Sequence, residues 1–179
     1  MNRLIHYSLV LFVIAAAAAG LLSLVHMVTS EKIAESDKII ETQARKAVLP
    51  KAIRFNEDKM IKSDEFEYVP GYDSEGKKTG YVVSVDTPGY GPSIKFVAGI
   101  SVEGKITGIR ITDASKETPG LGSKITDLAW QKNWKGRDIN YEFRKETDAF
   151  AGATVSPYGV YKGIKKALNG FEAIKGGAE

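Results

Sequence analysis

The chain has 179 residues and a net charge of +3, with 25 lysine and arginine residues against 22 aspartate and glutamate residues. It contains no cysteine, which excludes disulfides, thiolate nucleophiles, cysteine-ligated iron–sulfur clusters and cysteine zinc sites. The only histidines, His6 and His26, flank an apolar segment, so the rest of the chain has no imidazole for a Ser-His-Asp triad or for histidine-based metal binding. No basic stripe is interleaved with aromatic residues, and nucleic acid is therefore not a predicted partner.

The first predicted element is a transmembrane helix over residues 8–28, a stretch without a single Asp, Glu, Lys or Arg. About 20 apolar residues in a helix cross a bilayer core, whereas the apolar region of a signal peptide has only ~7–15. The length favours a retained anchor over a cleaved signal peptide, although the alanines at 15–19 resemble a cleavage site. Arg3 precedes the span, which predicts a cytoplasmic N-terminus (residues 1–7) and an external domain.

Residues 29–60 are predicted to form a membrane-proximal helix and a linker. The helix runs from Ser30 to Leu49 and ends at Pro50, with apolar residues such as Ile33 and Ile40 at helical spacing. Two interpretations stay open for it. The helix either continues the membrane helix and lifts the domain off the bilayer, or packs on the domain as an amphipathic helix.

Residues 61–179 are predicted to form one α+β domain, an antiparallel or mixed sheet with packed helices. Short segments rich in Val, Ile and Tyr, separated by turn residues, are typical of strands. The turn at Glu103–Gly104 predicts an antiparallel hairpin. No G-x-G-x-x-G motif follows a strand, so a dinucleotide-binding Rossmann domain is not predicted. The predicted strands are 66–72, 79–87, 94–102 and 105–112.

The loop Glu117–Gly122 reads ETPGLG and contains the turn sequence Thr118–Pro119–Gly120. In the simplest interpretation it only connects the last strand to a helix, SKITDLAWQKNW, which Ser123 caps. Trp130 and Trp134 on that helix are predicted to pack in the core rather than on a cofactor. Tyr141 and Phe143 indicate a further short strand.

The segment DAFAGATVSP, residues 148–157, precedes the last predicted helix. Ser156 suits its N-cap and Pro157 its first helical position. The free N–H groups and the positive dipole end of such a helix form a phosphate site, and Gly152 permits close backbone approach. Thr154 would then lie beside a phosphate, either as a contact or as the site of a phosphoester.

This segment resembles the flavinylation motif D-x-x-[S/T]-G-A-T of a known family. Asp148, Gly152, Ala153 and Thr154 match the motif, while Ala151 replaces its usual serine or threonine. The family is the covalent FMN-binding domain found in the G subunit of the Rnf complex and in the C subunit of the sodium-pumping NADH:quinone reductase. The resemblance implies that Thr154 carries FMN through its phosphate and that Asp148 belongs to the attachment motif.

Two further segments extend the resemblance in the family's order. Glu117 to Gly122 is similar to the loop that cradles the flavin, and GYGPSI, residues 89–94, resembles a strand entry of the family. The implied contacts to FMN are Leu121 against the ring face, Thr118 as a donor to a ring oxygen, and close approach at Gly122. Glu117, Gly152 and Ala153 complete the implied cofactor-binding set. No catalytic side chain and no metal site are predicted.

The resemblance also covers the N-terminal anchor and implies a function for the whole chain. It implies a single-pass protein of the inner (cytoplasmic) membrane with a periplasmic domain. The protein would be the electron carrier of an Rnf-type translocase that couples electron transfer between ferredoxin and NAD to ion transport. Implied partners are membrane, iron–sulfur and flavin subunits, with a flavin transferase during maturation. The alternatives are an FMN-domain donor to another extracytoplasmic reductase and a cofactor-free membrane-anchored scaffold.

Overall fold

A single long helix, α1 (Asn2–Val48), opens the chain in the computed structural model, which describes residues 2–63 and 65–176. The helix includes one segment long and apolar enough to cross a membrane, and its apolar side chains there are exposed. The chain divides into two compact units between Ile40 and Glu41. The predicted boundaries 1–7, 8–28, 29–60 and 61–179 stay predictions. Of these ranges, Met1, Asp64 and residues 177–179 lie outside the described residues.

The second unit is built on a six-stranded antiparallel sheet. The strands are β1 (Arg54–Phe55), β2 (Ile61–Lys62), β3 (Glu67–Tyr72), β4 (Lys78–Thr87), β5 (Ile94–Ser101) and β6 (Ile106–Asp113). They occur in the spatial order β1-β3-β4-β5-β6, and β2 also pairs with β3. The predicted α+β class is confirmed, and the predicted hairpin turn at Glu103–Gly104 connects β5 to β6.

Helices cover both faces of the sheet because side chains on its strands alternate between two apolar faces. On one face, the last turns of α1 bury Ala44 and Val48 against Val69, Val82 and Val97. The helix is continuous with the apolar segment, and its last turns pack on the domain, as the second interpretation states. Lifting of the domain off the bilayer stays a prediction.

On the other face lies the long helix α4 (Val155–Gly176), which packs along β4 and β5. Its buried side chains recur at helical spacing and include Val160, Ile164 and Phe171. Tyr68 of β3 donates a 2.7 Å hydrogen bond to the carbonyl of Ala167. This hydrogen bond fixes α4 on the sheet. Burial, with a smaller contribution from Glu65, raises the pKa of the Tyr68 phenol to about 12.

Three sequence predictions between β6 and α4 are wrong in detail: the form of the helix after Ser123, the residue that caps it, and the strand at residues 141–143. The helix expected after Ser123 is a 3₁₀ turn (Gly122–Thr126) followed by the short helix α2 (Leu128–Lys132). Asp127 caps α2 by accepting a hydrogen bond from the N–H of Ala129 at 2.8 Å. Residues 141–143 are not a strand, and a short helix, α3 (Lys145–Asp148), follows them. Trp130 and Trp134 are buried in the core, as predicted.

Candidate functional site

Thr154 lies immediately before α4, in the N-cap position. Its carbonyl accepts the N–H of Tyr158 at 3.0 Å, the first hydrogen bond of the helix. The prediction that Ser156 caps the helix and Pro157 begins it is therefore wrong by two residues. Proline is tolerated there because the first four N–H groups of a helix have no partner within it. The start of α4 at Val155 places the Thr154 hydroxyl at the positive end of the helix.

The Thr154 side chain is partly exposed. Within the described residues its hydroxyl makes no hydrogen bond, in contrast to the nearby Ser156, whose hydroxyl is engaged. A threonine in an N-cap position usually uses its side-chain oxygen to accept a backbone N–H. Here the hydroxyl is left available for an external group.

The attachment turn, Phe150–Ala153, presents Thr154. The carbonyl of Phe150 accepts the N–H of Ala153 at 3.0 Å, and Gly152 has a φ of 77°. A positive φ at the third position is the requirement of a type II turn, which glycine meets without strain. Ala151 and Gly152 are exposed, while Ala153 is buried. The sequence A-G-A thus forms a tight, glycine-dependent turn directly before Thr154.

Asp148 anchors the base of the attachment turn and is only 2% exposed. Its carboxylate accepts hydrogen bonds from the Tyr141 hydroxyl at 2.6 Å, the Arg144 N–H at 2.8 Å and Arg137 at 3.0 Å. Its carbonyl accepts the indole N–H of Trp130 at 2.8 Å. All these partners of the carboxylate precede Asp148 in the sequence, so the side chain does not cap the turn that follows it.

These contacts also set the ionisation of Asp148. Burial opposes the charged form, but the hydrogen bonds from Tyr141, the Arg144 N–H and Arg137 outweigh it, so the pKa of Asp148 lies below its ordinary value. Conversely, burial and the bond to Asp148 raise the pKa of the Tyr141 phenol. Asp148 is therefore a charged structural anchor of the attachment turn.

A second glycine turn, Thr118–Leu121, lies beside the first. The carbonyl of Thr118 accepts the N–H of Leu121 at 3.1 Å, and Gly120 has a φ of 74°. The Leu121 side chain is 43% exposed and reaches within 4.0 Å of the position that a Cβ on Gly152 would occupy. The structure therefore brings the predicted residues of the two loops together.

Glu117 lies at the start of the same loop, in the interior of the domain. The side chain is only 3% exposed and is therefore not a solvated surface carboxylate. It accepts the hydroxyl of Ser156 and the N–H of Gly91, the latter at 3.0 Å. Glu117 thus lies behind the two loops, against the first turn of α4.

Sequence reasoning missed the exposed apolar side chains that surround Thr154. Val155 and Tyr158 are exposed at the start of α4, and Tyr158 is 44% exposed. Tyr158 lies four residues after Thr154, which places both on the same helix face. Its ring contacts Phe143 edge-on, with 5.2 Å between centroids. The spacing of i and i+4 was the signal in the sequence that could have identified Tyr158.

The fold and these loops define a class of protein. The FMN-binding domain family matches residues 89–169, which include both glycine turns and Thr154. Among solved structures, the crystal structure of NqrC from Shewanella oneidensis aligns with 66% of this chain and 66% of its own, with a TM-score of 0.50 and 20% identity. At that identity the likeness shows a shared fold.

Curated relatives identify the family more closely. The G subunit of the Na(+)-translocating ferredoxin:NAD(+) oxidoreductase complex of Acetobacterium woodii is 33% identical, over 93% of this chain and 90% of its own length. The G subunit of the ion-translocating oxidoreductase complex of Vibrio atlanticus is 28% identical, over 94% and 90%. The chain belongs to the family of G subunits of ion-translocating oxidoreductase complexes, and the resemblance seen in its motifs is confirmed.

Proposed function

We propose that this chain is the membrane-anchored, FMN-carrying electron-transfer subunit of an ion-translocating oxidoreductase complex, with its FMN joined to Thr154 by a phosphoester. The observation that carries the proposal is the partly exposed Thr154 hydroxyl, unbonded within the described residues, at the N-terminus of α4. Membership of the G-subunit family and the match to the FMN-binding domain support it independently.

The residues around Thr154 fit a flavin phosphate. The first turn of α4 offers backbone N–H groups and the positive end of the helix dipole, which favour an anion. Gly152 has only the Leu121 side chain near its missing Cβ, at 4.0 Å. Because Gly152 has no side chain, a phosphate can approach the backbone of the attachment turn closely at this residue.

The isoalloxazine ring is assigned to the surface beside the two glycine turns. Leu121, Val155 and Tyr158 expose apolar side chains there, and apolar contact is what a flat aromatic ring requires. Thr118 is exposed on the same loop and offers a hydroxyl donor. Bound FMN supplies one- and two-electron redox chemistry, while the protein residues bind it, orient it and limit its access to water.

The covalent bond has a physical purpose in the proposed location. We assign the domain to the periplasmic side of the inner membrane, where a cofactor that dissociated would be diluted into a large volume. A phosphoester makes occupancy independent of the free FMN concentration. The neighbouring subunits would supply and withdraw the electrons, between ferredoxin and NAD if the complex acts as the name of the Acetobacterium woodii relative states.

The two alternatives are not favoured by the comparisons. A cofactor-free scaffold does not explain a match to an FMN-binding domain over residues 89–169. A donor to an unrelated reductase does not explain similarity, along 93% of the chain, to the G subunit of an ion-translocating complex. The protein therefore acts within an oxidoreductase complex, and the proposed phosphoester implies a flavin transferase during maturation.

The test is mass spectrometry of the peptide around Thr154 from protein made in its native host. We expect the mass of FMN on this peptide, and in-gel yellow fluorescence that survives denaturation. Thr154→Ala should abolish both signals without unfolding the domain, because the side chain makes no hydrogen bond with the described residues. Thr154→Ser should retain part of the flavin because it keeps the hydroxyl.

The matched control is Thr118→Ala, which removes an exposed hydroxyl from the neighbouring turn. Covalent FMN should persist in this variant. An unmodified Thr154 peptide from the native host, or covalent flavin that persists in Thr154→Ala, would refute attachment at this residue.

A further inference from the structure

The carboxylate of Glu117 lies where three segments of the domain meet. One is its own loop, which continues into the turn Thr118–Leu121. The second is the 88–91 loop, whose Gly91 N–H donates to Glu117 Oε1 at 3.0 Å. The third is the first turn of α4, where the Ser156 hydroxyl donates to Glu117 Oε2. A single side chain thus connects the start of α4 to both loops.

The packing around this carboxylate leaves no free space. A Cβ on Gly89 would strike Glu117 Oε1, and a Cβ on Gly122 would lie 2.5 Å from Glu117 Oε2. A Cβ on Gly159 would lie 2.5 Å from the carbonyl oxygen of Pro88. The glycines therefore let backbone from all three segments approach, and the carboxylate fills the space that remains.

The carboxylate has no cationic partner among the described residues. A buried carboxyl group is costly unless hydrogen bonds compensate its lost hydration. Here the Ser156 hydroxyl and the Gly91 N–H donate to its two oxygens. Because Ser156 belongs to the start of α4, both oxygens keep their hydrogen bonds only when that turn is held in this position.

We propose that Glu117 is a positioning residue for flavin attachment, acting through Ser156 and the 88–91 loop rather than by contact with the flavin. Ser156 lies two residues after Thr154, in the same helical turn. By fixing this turn against the loop Thr118–Leu121, Glu117 sets where the Thr154 hydroxyl meets the phosphate. The inference rests on the proposed attachment of FMN to Thr154.

The experiment measures the rate of flavinylation of the full chain in membranes of a host that contains a flavin transferase. The readout is the time course of in-gel flavin fluorescence, normalised to the amount of protein. Glu117→Ala should slow attachment about tenfold to a hundredfold, as misplaced reacting groups do. Ser156→Ala should slow it less, because Glu117 keeps its bond to Gly91.

Glu117→Gln is the rescue variant. Its amide has nearly the shape of the carboxylate and can accept the Gly91 N–H while it donates to the Ser156 oxygen. We expect a rate within about twofold of the wild type, since the connection between the segments is kept. The matched control is Glu75→Ala, which removes an exposed carboxylate in the β3–β4 turn and should leave the rate unchanged.

A second measurement, made on the fraction of protein that does become flavinylated, distinguishes a positioning role of Glu117 from a merely structural one. Fluorescence anisotropy of the attached FMN should fall in Glu117→Ala and stay near the wild-type value in Glu117→Gln. Wild-type attachment rate and anisotropy in Glu117→Ala would overturn the proposal, as would a Glu117→Gln variant as slow as Glu117→Ala. If Glu117→Ala does not fold, a wild-type rate in Ser156→Ala overturns it.

These outcomes are distinct from failure of the proposed function. Attachment that persists in Thr154→Ala refutes the phosphoester at Thr154 whatever Glu117 does. Attachment that depends on Thr154 but is indifferent to Glu117 and Ser156 leaves the function intact and refutes the positioning role.

Discussion

Asp148 stabilises the attachment turn through hydrogen bonds of both its side chain and its main chain. The carboxylate connects Tyr141, Arg144 and Arg137, and the carbonyl holds the Trp130 indole. None of these bonds involves Thr154. The residue thus contributes to the candidate site by fixing the turn that precedes Thr154.

Asp148→Asn is expected to lower the free energy of unfolding at neutral pH by about 2–4 kcal/mol. The amide removes the negative charge opposite Arg137, and its NH₂ group faces donors that the carboxylate accepted. Because the folded-state pKa of Asp148 is depressed, its contribution is present above the unfolded pKa of about 3.9 and is lost as pH falls through the folded pKa. Denaturant unfolding of the full chain, followed by tryptophan fluorescence at several pH values, checks both effects.

Glu146→Gln is the control for this change, because Glu146 is an exposed carboxylate on the same short helix. Its effect should stay within about 0.5 kcal/mol. The stability of Asp148→Asn should also depend less on pH in acid than that of the wild type. Equal acid dependence of the two proteins would contradict the assignment of Asp148 as a charged anchor.

At the scale of single residues, the sequence identified the candidate acceptor Thr154, which stays a prediction, but not the contacts that support its position. Thr154 and Gly152 were identifiable because a short motif places them within three residues of each other. The bond between Glu117 and Ser156 joins residues 39 positions apart, and no local pattern reports such a contact. The burial of Glu117 depends on the glycines packed against it, which only the folded structure reveals.

The start of α4 determines the geometry of the site at the scale of elements. Gly159 lies in the first turns of this helix, where a Cβ would meet the carbonyl oxygen of Pro88 at 2.5 Å and the Cα of Gly89 at 3.1 Å. Both contacts are with backbone, so a flexible side chain cannot move aside to relieve them. The helix can approach the 88–91 loop this closely only because residue 159 is glycine.

Gly159→Ala should therefore destabilise the domain by about 1–3 kcal/mol, the usual cost of overpacking. In an ordinary helix the change in stability would have the opposite sign, because alanine is favoured over glycine by about 1 kcal/mol. The control is Asn169→Ala at an exposed position of α4, which should be neutral or stabilising by up to about 0.5 kcal/mol. Denaturant unfolding compares the two, and a Gly159→Ala variant more stable than the wild type would contradict the close approach.

The elements themselves were predictable to different degrees. β4, β5 and β6 agree with prediction to within one residue at each end, because alternation of apolar residues is a local signal. The start of α4 was predicted two residues late because Pro157 was assigned to the first helical position, although proline fits anywhere in the first turn. Residues 141–143 form no strand, since Tyr141 is held by its bond to Asp148 rather than by a neighbouring strand.

On the scale of the whole molecule, the chain combines an apolar helical segment with a charged domain. Arg3 is the only charged side chain before residue 29, while Glu31 and Lys32 after the apolar segment nearly cancel. Positive residues are retained on the cytoplasmic side of a membrane during insertion. The distribution therefore favours a domain on the external side, which is consistent with the proposed covalent attachment of FMN.

The topology prediction follows from this asymmetry. A reporter fused after Glu179 should be active only outside the cytoplasm, and protease added to intact spheroplasts should digest the domain, because Arg3 holds the N-terminus inside. The same reporter placed before residue 8 is the matched control and should indicate the cytoplasm. Protection of the domain in spheroplasts, with digestion only in inverted vesicles, would contradict the orientation.

N-terminal sequencing completes the test, since a mature protein that begins near Gly20 would show that the apolar segment is a cleaved signal peptide rather than an anchor.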